Sequence, residues 1–135
     1  MIRLIEGLGK NSNSEYDRIF KERAKSKPNW QDLRRWKLLL KYYKGGKLLD
    51  IGCLDGQIPE IMMEFFLAND GHEYLGIDLA EETINTRNLA WRNIPKVYFK
   101  VADAYNLGIQ EELFNYVILG EVLEHLDRPA DVISE

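Results

Sequence analysis

The sequence predicts an α/β domain in which a mostly parallel sheet lies between layers of helices. Three observations predict it. The 135 residues are 45% hydrophobic, enough for one core. From Lys47 onward, short apolar runs alternate with segments of helical periodicity, the order that builds a parallel sheet with crossover helices. Before Lys47 the pattern is helical only. The chain therefore divides into an N-terminal helical arm, residues 1–46, and an α/β body, residues 47–135.

The elements follow in order. Gly7, Gly9, Asn11, Ser12 and Asn13 make the first dozen residues a loop. Glu15 to Lys25 carries a short helical pattern through Tyr16, Ile19 and Phe20. Pro28-Asn29 interrupts it, and Asn29 suits the N-cap of the next helix. There Leu33, Trp36, Leu40 and Tyr43 share one face, and Gly45-Gly46 ends the helix. Lys47–Ile51 is the first strand. Ile58, Ile61, Met62, Phe65 and Phe66 recur at helical spacing, with Pro59 in the first turn, where a missing N–H costs nothing. Asn69 to Gly71 is a turn, and Tyr74–Ile77 is the second strand. Glu81–Trp91 is a helix with acids in its first turn. Val97–Val101 is the third strand and Phe114–Leu119 the fourth. A helix from about Ala130 follows.

In such sheets ligands bind outside the carboxyl ends of the strands. The first strand runs into Asp50-Ile-Gly-Cys-Leu-Asp-Gly56. Gly52 permits a sharp turn and contact between backbone and ligand. Gly56 admits the turn into a helix whose first N–H groups face the same place. The second strand ends on Asp78-Leu79. Asp78 is placed to accept hydrogen bonds from both hydroxyls of an adenosine ribose, or, in the ordinary alternative, to cap the next helix. The third strand leads to Ala102-Asp103-Ala104, a carboxylate for an amine such as adenine N6, with small neighbours that leave room for a flat ring. The ordinary alternative is a turn acid. The fourth leads to Gly120-Glu-Val-Leu-Glu-His125. If this stretch is helical, Glu121 and His125 share a face and are the candidate acid–base pair. Glu121, Glu124 and His125 form an alternative metal set, although the leading reading assigns no metal.

A dinucleotide fingerprint starting at Gly52 requires glycine at positions 54 and 57, because a pyrophosphate approaches the backbone there. Those positions hold Leu54 and Gln57.

Together the four strand ends resemble the motifs of class I S-adenosylmethionine-dependent methyltransferases. Leu48 to Gly56 resembles the first motif, Asp/Glu-x-Gly-x-Gly-x-Gly. Tyr74 to Asp78 resembles the second, Val101 to Ala104 the third, and Phe114 to Leu126 the fourth. The resemblance covers about residues 47–128. It implies a Rossmann-like three-layer sandwich with strand order 3-2-1-4, lacking the later strands of the full methyltransferase fold. It implies S-adenosyl-L-methionine as cofactor, in contact with Asp50, Gly52, Cys53, Leu54, Gly56, Asp78, Leu79, Ala102, Asp103, Ala104 and Gly120. Asp50 then helps position the methionine end, and Asp78 binds the ribose. Leu54 departs from the family pattern, adding bulk where a glycine is usual.

The chemistry implied by the resemblance is methyl transfer to an acceptor, with a small molecule as the leading expectation. RNA is the alternative, since Glu-Val-Leu-Glu-His is similar to a metal-binding motif of small-RNA methyltransferases. A non-catalytic cofactor-binding module is the third reading. Residues 1–47 hold 13 of the 18 Lys and Arg and only five acids. Such an arm suits a solvated helical surface first and a nucleic-acid contact second. No run of about 18 apolar residues could span a membrane, and Met1 to Lys10 does not read as a signal peptide. The single cysteine, Cys53, fits a reducing, cytoplasmic setting. Val117-Ile-Leu119 suits a central strand. An uncovered edge there is expected to pair with a second copy, giving a homodimer, or with a further segment of a longer protein.

Overall fold

The computed structural model describes residues 30–53, 58–59, 62, 66, 71–109, 113–120 and 122–135. The expectations for residues 1–29, Leu54, Gly56, Ile61, Phe65, the turn residues Asn69 and Asp70, and Glu121 lie outside the described residues.

The described elements are α1 (Trp30–Tyr42), β1 (Gly46–Ile51), β2 (His72–Asp78), α2 (Glu81–Trp91), β3 (Val97–Val101) and β4 (Tyr116–Ile118). A 3-10 turn (Leu123–His125) and α3 (Pro129–Ser134) follow. The sheet order is β3-β2-β1-β4, and every pairing is parallel, as expected. Between β1 and β2, the bonds Met62 N–H to Ile58 O (3.0 Å) and Phe66 N–H to Met62 O (3.4 Å) have the i to i+4 spacing of an α-helix.

Strand alternation divides the apolar residues between two cores. On one face Leu48, Tyr74, Val97 and Phe99 pack with Ile58, Met62, Phe66, Ile84 and Trp91. On the other, Leu49, Ile51 and Ile77 pack with Ala104, Leu107, Val122 and Val132. The sheet is therefore the middle of three layers. The register Leu48↔Tyr74, Asp50↔Gly76 places Asp50, Tyr74, Gly76 and Asp78 on the first of these faces.

Several boundaries differ from expectation, β1 beginning at Gly46 instead of Lys47. β2 begins two residues earlier, because Gly46 and Lys47 pair with His72 and Glu73, and Lys47 lies 3.7 Å from Glu73 across that pair. β4 is three residues long, not six, since it is paired only along Leu48–Asp50 of β1. The stretch after β4 is not α-helical. His125 N–H bonds Val122 O at 3.0 Å and Leu126 N–H bonds Leu123 O at 3.3 Å, the i to i+3 pattern of a 3-10 turn. The chain then extends at Leu126, and Arg128, which precedes Pro129 where α conformation is disfavoured, also lies outside the α region. The i, i+4 relation of Glu121 and His125 is conditional on an α-helix here; residues 122–125 form none, and Glu121 lies outside the described residues.

Candidate functional site

The carboxyl end of β1 turns at Gly52, whose φ of 75° lies in the left-handed region where a side chain is strained. The Gly52 and Cys53 N–H groups both donate to Ile77 O, at 2.8 and 3.0 Å. Ala102 N–H donates to Asp78 O at 3.0 Å. The ends of β1 and β3 are thus stitched to the end of β2, which lies between them.

Two carboxylates lie on one face of this edge. Asp50 is 4% exposed and Asp78 is 2% exposed. Burying a charge is costly unless hydrogen bonds meet it. The Tyr74 hydroxyl donates to Asp50 Oδ2 at 2.7 Å, and Ala80 N–H donates to Asp78 Oδ1 at 3.1 Å. The Ala80 bond is an Asx-type turn ahead of α2, whose N-cap residue is Ala80 with no side-chain cap bond, so Asp78 does not take the capping role considered for it. Gly76 faces Asp50 across the ladder, and Asp78 stands two residues, about 7 Å, further along β2.

Asp103 is exposed, and its Oδ1 accepts Tyr105 N–H at 2.9 Å, the side-chain-to-backbone bond of an Asx turn. Of its neighbours, Ala102 is half-buried, whereas Ala104 is 1% exposed within the second core and offers no surface to a ring. Leu79 is half-buried against that same core. Cys53 is buried, with Cβ and Sγ packed over Gly76. Gly120 is half-buried, and a Cβ there would meet Ile118 Cγ2 at 3.7 Å, an ordinary contact, so packing does not require glycine. In the 3-10 turn Glu124 is exposed and His125 half-buried. No group of three potential metal ligands occurs among the described residues.

Sequence reasoning missed Tyr74. It is 0% exposed, and its ring packs edge-on against Phe66 and Phe99, at centroid distances of 6.2 and 5.7 Å. The available signal was the spacing Tyr74-x-Gly76-x-Asp78, which puts an aromatic, a gap and an acid on one face of a strand.

Chemically, this edge presents Asp50, Asp78 and Asp103 at or just beyond the ends of three adjacent strands. Carboxylates accept hydrogen bonds from hydroxyls and attract cationic amines. They repel a pyrophosphate, the group that a dinucleotide would bring to the same turn.

A profile of the "Methyltransferase domain" family matches residues 49–135. The ubiquinone biosynthesis O-methyltransferase of Methylococcus capsulatus is 32% identical over 92 residues, which are 67% of this chain and 37% of that protein. Among solved structures, the [4+2]-cyclase SpnF superposes with a TM-score of 0.61 at 22% identity, over 79% of this chain and 41% of that one. The N-terminal domain of EvdMO1, solved in the presence of SAH and D-fucose, gives a TM-score of 0.61 at 16% identity, over 90% and 58% of the two chains. The chain thus spans little more than a third of the curated relative's length. No helix among the described residues is long and apolar enough to cross a membrane.

Proposed function

The chain belongs to the methyltransferase domain family, within the class I S-adenosylmethionine-dependent methyltransferases, and on that footing we propose that the carboxyl edge of its sheet holds S-adenosylmethionine for methyl transfer to a small-molecule acceptor. The observation that carries this reading is the placement of Asp50 and Asp78, both buried, on one sheet face beside the Gly52 turn.

The residues fit the cofactor's chemistry. Its ribose offers two neighbouring hydroxyls, and Asp78 accepts from them. Its methionine end carries an ammonium, and Asp50 supplies the opposing charge. Adenine offers an exocyclic amine, and Asp103 accepts from it. Leu79, Ala102 and Gly120 supply the adjoining half-buried surface. When bound, the cofactor supplies a methyl group on a sulfonium, reactive without further activation by the protein. The protein's part is to orient donor and acceptor in line and exclude water, so proximity is its main contribution. His125, half-buried beyond β4, is the described candidate for accepting the acceptor's proton.

The small-molecule reading draws on the O-methyltransferase relative. RNA is the second reading, resting on the 13 basic residues among positions 1–47. The two separate by which acceptor receives labelled methyl groups. S-adenosylhomocysteine should raise the melting temperature in proportion to the logarithm of its concentration once it exceeds Kd, as linkage requires. NAD at the same concentrations should leave it unmoved. Stabilisation by NAD alone would overturn the proposal.

A further inference from the structure

We infer that Tyr74 is a positioning residue for the cofactor's methionine end, acting through Asp50 without touching the cofactor itself. The inference rests on the reading of the carboxyl edge as an S-adenosylmethionine site, and it assigns to that site a residue from inside the core.

Tyr74 lies two residues before Gly76 on β2 and opposite Leu48 on β1. Its ring is wedged between Phe66 and Phe99. From there the side chain runs along the sheet past Gly76 and delivers its hydroxyl to Asp50 Oδ2 at 2.7 Å. Gly76 makes this route available. A Cβ at that position would stand 2.8 Å from the Tyr74 hydroxyl, and 2.9 Å from both Cβ and Sγ of Cys53. Any side chain there would displace either the tyrosine or the turn that follows β1.

The bond has a direction that matters. A phenol O–H donates to the carboxylate, which favours its ionised form and fixes which oxygen faces the core. An apolar pocket would otherwise favour the neutral acid, which attracts an ammonium far less. Tyr74 is 0% exposed, and its aromatic neighbours lock its rotamer, so the donor is rigid. The consequence is specific. Removing the hydroxyl should weaken ligands that bear the amino-acid end and spare ligands that lack it.

Calorimetry with two compounds tests this. S-adenosylhomocysteine carries the amino-acid end, and 5′-methylthioadenosine keeps the ribose and adenine without it. For Tyr74→Phe, the expected result is a five- to twentyfold loss of affinity for the first and less than a twofold change for the second. Asp50→Asn should give the same split, and the double variant should lose little more than either single one. If Tyr74→Phe does not fold, Tyr74→Met, which also lacks the hydroxyl, is put to the same two ligands, and the same split is expected. Equal loss of both ligands, or no loss of either, overturns the inference while leaving the cofactor site standing. If the unaltered chain binds neither compound, the cofactor reading fails and the inference with it.

Discussion

Asn88 of α2 pairs through its side-chain amide with both backbone groups of Phe99: Nδ2 donates to Phe99 O at 3.0 Å, and Oδ1 accepts Phe99 N–H at 3.2 Å. One side chain thus supplies the two bonds that a neighbouring strand would have made along the outer side of β3. Asn88→Ala is expected to destabilise the fold by about 1–2 kcal/mol, the cost of leaving part-buried backbone groups without their partner. Urea denaturation measures it, and a midpoint unchanged at constant slope would mean that water replaces the amide without cost.

The opposite edge differs. Among the described residues no strand lies outside β4, and Val117 there is 54% exposed. This edge is expected either to be covered by a further segment of a longer protein or, where it is not, to pair with a second copy along β4 as concentration rises. Light scattering across a concentration series checks it, and a constant monomer mass at all concentrations would contradict it. Val117→Lys should reduce the association, as edge lysines do in natural sheets.

Gly76→Ala should cost about 1–3 kcal/mol, the usual range for overpacking. The added methyl meets the Tyr74 hydroxyl and the Cys53 side chain at under 3 Å. Neither can retreat, since Tyr74 is bonded to Asp50 and Cys53 N–H is bonded to Ile77 O. Thermal unfolding measures the loss. A melting temperature equal to that of the unaltered chain would show that the turn after β1 yields freely.

The phenol of Tyr43 is pushed up to about 12 from its usual 10, first by burial and then by the neighbouring Tyr116 phenol. Its hydroxyl donates to Gly46 O at 2.9 Å. The unfolded chain releases this proton at lower pH than the folded one. Between about pH 10 and 12 the folded state therefore holds more protons, and stability falls as pH rises through that window. Below pH 10 the contribution is fully present. Tyr43→Phe should flatten this part of the stability profile, and an unchanged slope would remove Tyr43 as its cause.

How much of this was legible in the sequence depends on what each element owes to its neighbours. β3 and α2 fall on their expected bounds, 97–101 and 81–91, because local pattern defines them. β4 does not, because its length follows from how much of β1 remains to pair with it. The 3-10 turn at Leu123–His125 was hidden because Leu and Glu there are good helix formers, whereas the chain leaves the α region at Leu126 and Arg128 ahead of Pro129. At the candidate site, Asp50 and Asp78 were visible as strand-end acids. Tyr74 was not, because its role needs the register Leu48↔Tyr74 and the empty space over Gly76, which only the folded sheet supplies.

Isothermal calorimetry of the chain and of Asp78→Ala with S-adenosylhomocysteine asks whether the carboxyl edge of this sheet holds S-adenosylmethionine with Asp78 on the ribose. Asp78 is 2% exposed and bonded to Ala80 N–H, so circular dichroism must first show the variant folded. The unaltered chain should show saturable one-to-one binding. The variant should lose about 1.5–3 kcal/mol, roughly ten- to over a hundredfold in Kd, the range for hydrogen bonds to a charged group. A folded variant that binds as tightly as the unaltered chain would contradict it.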